Sequence, residues 1–306
     1  MAIALLEREA TQPLEITLVR HGESEANRVQ KDEKNGLISP YADEVYSKHD
    51  YEHHLTKQGV LQAKAARLAM AEMGIVPEEY YDEFYVSQFL RPAETFAYLT
   101  EGNADPIPVP WLNERDWGEY GNTPLEIRKE RFAYTESQKK RSTFMTRYDG
   151  GENIPDVAAR LKLWIDTINR EQTNKKVLAV VHGELMWTAR FLFEGQTLEQ
   201  WEDMDKDDSL RIGNCCILQY SRVNPEDPTD ISRTISGGWR RFTDPYKPER
   251  SPYGGEWIKM PGRTRLIGKE VLAAAESYTR IEDRANRDFD EVALNYLLVE
   301  ASGKTF

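Results

Sequence analysis

Two cysteines are all the sequence contains, and they are neighbours, Cys215 and Cys216. Adjacent residues on a strand point to opposite faces, so an ordinary disulfide between them is geometrically disfavoured. With no framework of bridges, the chain suits a reducing compartment. Long apolar runs are missing as well. No uninterrupted stretch approaches the roughly 20 residues of a membrane-crossing helix. The opening MAIALLEREATQP is apolar only briefly before charge sets in, and it lacks the apolar core and cleavage site of a secretory leader. These absences predict a cytoplasmic protein with no membrane partner. Internal repeats and low-complexity tracts are also lacking. So is a surplus of positive charge: 40 Lys+Arg stand against 52 Asp+Glu, a formal net charge of -12. That argues against nucleic acid as a partner, because phosphate backbones are held by dense basic surfaces.

What is present reads as a folded α/β protein. Its 306 residues, 40% hydrophobic, exceed what one minimal core needs. Residues 15–20 (EITLVR) form a β-branched run that predicts a buried strand feeding a loop. Residues 30–54 are polar, with Gly36 and Pro40, and predict an irregular excursion. Thr56 is placed to cap a helix whose Leu61, Ala65, Leu68 and Ala69 share a face. Residues 84–86 predict a second strand and 92–99 a helix, while Pro106–Pro110 leaves room for a short edge strand only. Residues 123–148 are compatible with helix. A further helix opens at Pro155, with Val157, Leu161, Trp164 and Ile168 on one stripe. Residues 177–181 are the strongest strand, running into His182-Gly183; helical segments at 184–193 and 197–203 and a strand over 212–220 follow. The alternation predicts three α/β/α layers around a mostly parallel sheet.

After Arg222 the pattern changes. Residues 222–306 carry 14 Lys/Arg and 14 Asp/Glu, so the whole acidic excess lies before them. We expect a first domain over 1–221 and an extension over 222–306: a stretch rich in Pro, Gly, Arg and aromatics, then a helix-like segment with Val271, Ala274, Ala275, Tyr278, Ile281, Val292, Tyr296 and Leu297 available to pack. An anion site in the acidic body has to be a local focus of Arg and backbone N–H groups.

That focus has candidates. Arg20-His21-Gly22-Glu23 stands where the first strand meets a loop, Ser87 and Arg91 where the second meets its helix, and His182-Gly183 at the end of the strongest strand. In open α/β sheets, sites gather at the carboxyl edge. A histidine becomes a nucleophile when one ring nitrogen is held as a donor and the other is left free. Guanidinium groups beside it match phosphate oxygens.

These segments resemble the histidine phosphatase superfamily, in its phosphoglycerate-mutase-like branch. LVRHGESEAN (18–27), LTKQGVLQA (55–63), SQFLRPAET (87–95), LNERDWGEYGN (112–122), GGEN with DV..R (150–160) and VVHGE (180–184) follow one another in that family's order. The resemblance covers about residues 15–220 and leaves the tail without a counterpart. It implies that His21 accepts a phosphoryl group, that Arg20, Asn27, Arg91 and His182 hold its oxygens with Gly22 and Gly183 beside them, and that Glu114 protonates the leaving oxygen. Arginines and a protonated His182 can supply the positive charge, so no metal or other cofactor is implied.

Within that family a phosphatase passes the group to water and a mutase returns it to substrate. The mutases carry Asn after the second His-Gly and Lys after the acid motif. Here Glu184 and the stretch 122–125 stand in those places, and a paired-arginine segment is lacking. We therefore expect a phosphomonoester hydrolase, with a mutase or an inert phospho-ligand scaffold as alternatives. The substrate class, small phosphorylated molecule or phosphoprotein, stays open, as does homodimerisation; Trp117, Tyr120 or Trp187 facing the pocket would favour a ring-bearing substrate. His49 and His53, spaced i,i+4, invite a metal reading, but a polar loop at the pocket rim is the better account. Glu184 is a weaker candidate acid than Glu114.

Overall fold

The computed structural model describes residues 11–121, 123–246, 255–262 and 267–278. Seven strands form one sheet: β1 (Glu15–Arg20), β2 (Glu83–Val86), β3 (Ile107–Pro108), β4 (Lys176–Val181), β5 (Ile217–Ser221), β6 (Trp239–Thr243) and β7 (Ile258–Lys259). Their order is β3-β2-β4-β1-β5-β6-β7. The strands β3, β2, β4 and β1 pair in parallel, whereas β5, β6 and β7 join antiparallel. The parallel reading thus holds for four strands, and the sheet as a whole is mixed.

The helices in the described residues are α1 (Glu25–Lys34), α2 (Ala42–Ser47), α3 (Lys57–Glu72), α4 (Pro77–Tyr80), α5 (Leu90–Thr100), α6 (Leu125–Arg131), α7 (Ala133–Lys139), α8 (Ile154–Glu171), α9 (Gly183–Glu194), α10 (Leu198–Asp205) and α11 (Gly268–Ser277). Two cores sandwich the sheet. Alternation along β1 and β4 sends Ile16, Leu18, Val177, Ala179 and Val181 toward α8 and α9, where Val157, Leu161, Trp164 and Ile168 meet them. It sends Val19, Leu178 and Val180 toward Ala63, Ala66 and Met70 of α3 and Phe96 and Leu99 of α5. Strands covered on both faces have no polar side to show, which is why β4 reads as a continuous apolar run.

Four expectations need correction. The spacing of Leu61 and Leu68 suggests the buried face of α3, yet both are exposed and the helix buries Gly59, Gln62, Ala63, Ala66 and Met70 instead. On that side the backbone at Glu23 passes so close that a Cβ on Gly59 would lie 2.2 Å from its carbonyl oxygen, and small residues fit there. Residues 30–54 contain the end of α1 and all of α2 rather than loop alone; α1 is polar but starts from a Ser24 cap with a reciprocal Asn27 bond. The strand expected over 212–220 begins only at Ile217, because Cys215 adopts a left-handed φ of 59° and turns the chain. Finally, β6 and β7 extend the main sheet, so the chain divides into compact units Met1–Thr264 and Arg265–Phe306 rather than at 221/222. In the second unit α11 buries no side chain among the described residues; Ile281, Val292, Tyr296 and Leu297 lie outside them. No helix among the described residues is long and apolar enough to cross a membrane.

Candidate active site

Register brings the chemistry together. Arg20 pairs with Val181, and Val86 with Val180, so the parallel strands β1, β4 and β2 end at one level. The residues that follow, His21, His182 and Ser87, therefore share one edge of the sheet.

The loop after β1 is held at nearly every peptide group. His21 N donates to Val181 O at 3.0 Å, and Cys215 N donates to Arg20 O at 3.1 Å. Asn214 Nδ2 donates to His21 O at 3.0 Å and to Asn27 Oδ1 at 3.1 Å. Gly22 N reaches Thr95 Oγ1 at 3.0 Å, and Glu23 N reaches Gln62 Oε1 at 2.7 Å. Gly22 also crosses Gly59 of α3 so closely that a Cβ on Gly22 would lie 2.5 Å from Gly59 O, and one on Gly59 2.2 Å from Glu23 O.

His21 is buried. Its Nδ1 lies 2.7 Å from Gly22 O. A carbonyl only accepts, so Nδ1 carries the proton and Nε2 keeps its lone pair. Arg91 agrees, donating from Nε to that Nε2 at 3.3 Å. Burial, then the charges of Arg91 and Arg20, hold the His21 ring well below the usual histidine range and thus neutral.

His182 lies with its ring centroid 5.1 Å from that of His21. Its Nε2 contacts Ser87 Oγ at 2.7 Å, while Ser87 donates onward to Asn113 Oδ1 at 3.0 Å. That leaves Nδ1 buried without a partner, and Arg20 Nε is likewise buried and unpartnered. Two buried nitrogens near His21 thus keep bonding capacity that an anionic ligand could use. Burial and Arg91 also push His182 well below the histidine range. The resting site therefore opposes the protonated His182 invoked above, and an incoming dianion has to bring that proton's stabilisation with it.

A cavity of about 730 Å³ opens at this edge, lined by Arg20, His21, Asn27, Arg91 and Glu114 among others, whereas the fully buried His182 is not part of its wall. Gly22 and Gly183 shape the backbone beneath rather than its wall. The side chain of Arg20 passes against Gly183, where a Cβ would sit 3.3 Å from Arg20 Nε. Burial, then the neighbouring Glu184, push the Glu114 carboxyl up to about 7. Its loop is braced by Arg160, which donates to the carbonyls of Trp111, Asn113 and Glu114 at 2.9, 2.7 and 3.0 Å and pairs with Glu152 at 2.8 Å. Glu184 lines the same cavity, 3.5 Å from Arg115 Nη1, and burial raises it too.

Of the aromatic rings, Trp117 lines the cavity; Tyr120 stacks on Tyr148 at 4.0 Å, and Trp187 is buried. The histidines of the excursion part ways. His49 and His53 line the cavity, while His54 pairs with Glu94 at 2.6 Å. Arg91 pairs with Asp50, 41 residues away, at 3.0 Å. Asp50, Asn214, Thr95, Gln62 and Arg160 escape a reading by motif roles. All five act through contacts 39 to 193 residues apart, which local spacing does not encode.

Residues 16–222 match the histidine phosphatase superfamily (branch 1), and the chain belongs to that family. Among its relatives, a 2,3-bisphosphoglycerate-dependent phosphoglycerate mutase of Methylobacterium radiotolerans is 29% identical over 226 residues, covering 72% of this chain and 94% of that protein. Another from Rhizobium etli is 30% identical over 186 residues, covering 59% and 78%. Among solved structures, the alpha-ribazole phosphatase of Shigella flexneri superposes with a TM-score of 0.52 at 17% identity, covering 72% of this chain and 97% of that one. A structure titled mycobacterial hydrolase 1 gives 0.52 at 18%, covering 71% and 94%. These two show the shared fold. Family membership supports a phosphatase or a mutase activity.

Proposed function

We propose that the protein is a metal-independent phosphomonoester hydrolase. In the first half-reaction His21 Nε2 attacks phosphorus, the bond from phosphorus to the ester oxygen breaks, and Glu114 gives its proton to that oxygen. In the second, the Glu114 carboxylate takes a proton from water as the water oxygen attacks phosphorus. The bond to Nε2 breaks, and orthophosphate leaves with Glu114 protonated again. Arg20, Asn27, Arg91 and the unpartnered Nδ1 of His182 receive the phosphoryl oxygens.

The observation that carries this reading is the state of the nucleophile: a neutral imidazole with its proton fixed on Nδ1 and its lone pair aimed beneath Arg91. Glu184 in the cavity wall supports hydrolysis over transfer to a sugar acid, since a carboxylate there disfavours a second carboxylate on the substrate. The mutase reading rests on the relatives named above. Phosphate release from a panel of phosphomonoesters, with chelator present, tests the proposal: turnover that vanishes in His21→Ala is expected. Stimulation of phosphoryl exchange by a bisphosphoglycerate, without release to water, would establish a mutase instead.

A further inference from the structure

Arg91 is 4% exposed, yet it does not face the nucleophile alone. Its Nη1 donates to Asp50 O at 2.5 Å and its Nη2 to Asp50 Oδ2 at 3.0 Å, while Nε points at His21 Nε2. Asp50 thus grips the outer edge of the guanidinium from two directions, once with its backbone and once with its side chain. The plane of the fork is set, and one N–H on each terminal nitrogen is left for a phosphoryl oxygen.

A carboxylate so close to an anion site would normally work against it. Here it is answered from behind. Asp50 Oδ1 lies 3.3 Å from Nδ1 of His53, a ring that is 3% exposed and whose Nε2 lies 3.0 Å from Val45 O. Both nitrogens of His53 face acceptors, Asp50 Oδ1 and Val45 O, which fixes the ring between the carboxylate and the α2 backbone. Burial alone would raise the Asp50 carboxyl, but His53 and Arg91 outweigh it and hold it well below the usual carboxylate range. The Asp50 carboxylate is thus shared between the Arg91 guanidinium and the His53 ring, while the Asp50 carbonyl supplies the second contact that aims Arg91.

We infer that Asp50, backed by His53, is a positioning residue that orients Arg91 for the phosphoryl group. The inference rests on the reading of His21 as phosphoryl acceptor, and its test separates the two. Orthophosphate binding to the full-length protein is measured by calorimetry for wild type, Asp50→Ala, Arg91→Ala and the double variant, with ester turnover in parallel and thermal melts as a check on folding. Asp50→Ala should weaken phosphate binding about 10-fold or more, since misplacement of a bound group by an ångström costs on that order. In the Arg91→Ala background the same change should add nothing, because its only route is through Arg91. Asp50→Asn keeps an oxygen for Nη2 and should recover part of the loss. Unchanged or tighter binding in Asp50→Ala, or losses that multiply in the double variant, would overturn the inference. Wild-type protein that binds phosphate and shows these couplings but turns over no ester would instead sink the hydrolase reading alone.

Discussion

Glu114 shows how much one environment can change one side chain. Its carboxyl stays protonated to about 7 because it is buried and faces Glu184. An acid that is neutral near the working pH can donate a proton to a poor leaving group. With alkyl phosphates, kcat/KM should therefore fall as pH rises through about 7, as the free enzyme loses that proton. Activated aryl esters need no such help and should lack this falling limb. Glu114→Gln should slow alkyl esters far more than aryl ones; equal slowing would remove the acid role. The same perturbation bears on stability. Above the ordinary glutamate value the unfolded chain ionises while the folded chain stays protonated, so folding forfeits free energy up to about pH 7 and a constant amount beyond. In urea unfolding at pH 8, Glu114→Gln should exceed wild type by up to about 3 kcal/mol, an advantage that disappears near pH 4. At this scale the motifs are informative. His21, Arg91, His182 and Glu114 converge as their order in the chain implies. Asp50 and Asn214 do not announce themselves, because each matters through long-range contacts with no local pattern.

Elements carry a second kind of information, and α3 shows where it fails. Periodicity marks an apolar stripe on this helix correctly but not the direction in which it points. The buried side is made of Gly59, Gln62, Ala63 and Ala66, residues whose small size, or whose bond to Glu23 N in the case of Gln62, suits close approach to the catalytic loop. Hydrophobicity ranks Leu61 and Leu68 above them, and steric fit reverses the ranking. Contrasting substitutions follow from this. Leu68→Lys lies on an exposed position and should change stability by no more than about 0.5 kcal/mol. Gly59→Ala places a methyl group 2.2 Å from Glu23 O, where backbone rather than a pliant side chain must move. It should cost about 1–3 kcal/mol. Because the displaced backbone leads straight to His21, turnover should fall as well. Chemical denaturation of the two variants, with turnover measured alongside, checks both; a harmless Gly59→Ala would mean that α3 does not buttress the loop. By contrast α8 is read correctly from sequence, since its stripe of Val157, Leu161, Trp164 and Ile168 is large and joins the core formed with β1 and β4.

For the whole molecule, the family match and the physical unit end at different places. The match stops at residue 222, just past β5, whereas the compact unit runs to Thr264. The difference lies in β6 and β7, two short strands set in a Pro-, Gly- and Arg-rich stretch that hides them from any periodicity test. β6 pairs with β5 over five positions, from Ile217 with Thr243 to Ser221 with Trp239. Ile235, Phe242 and Met260 from this region belong to the core that also holds α8 and α9. Burying three such side chains contributes roughly 5–9 kcal/mol, comparable with the net stability of about 5–15 kcal/mol typical of a domain. A chain ended after Ser221 would lose them and bare the whole edge of β5, an invitation to strand pairing between molecules. It should therefore aggregate or melt well below wild type. A chain ended after Thr264 retains every one of these contacts and should keep both a cooperative melt and its phosphate release. Calorimetry and light scattering on the two truncated chains decide the matter. If the shorter one melts like the longer, β6 and β7 are an ornament on a core complete at β5, and the boundary drawn from composition would stand.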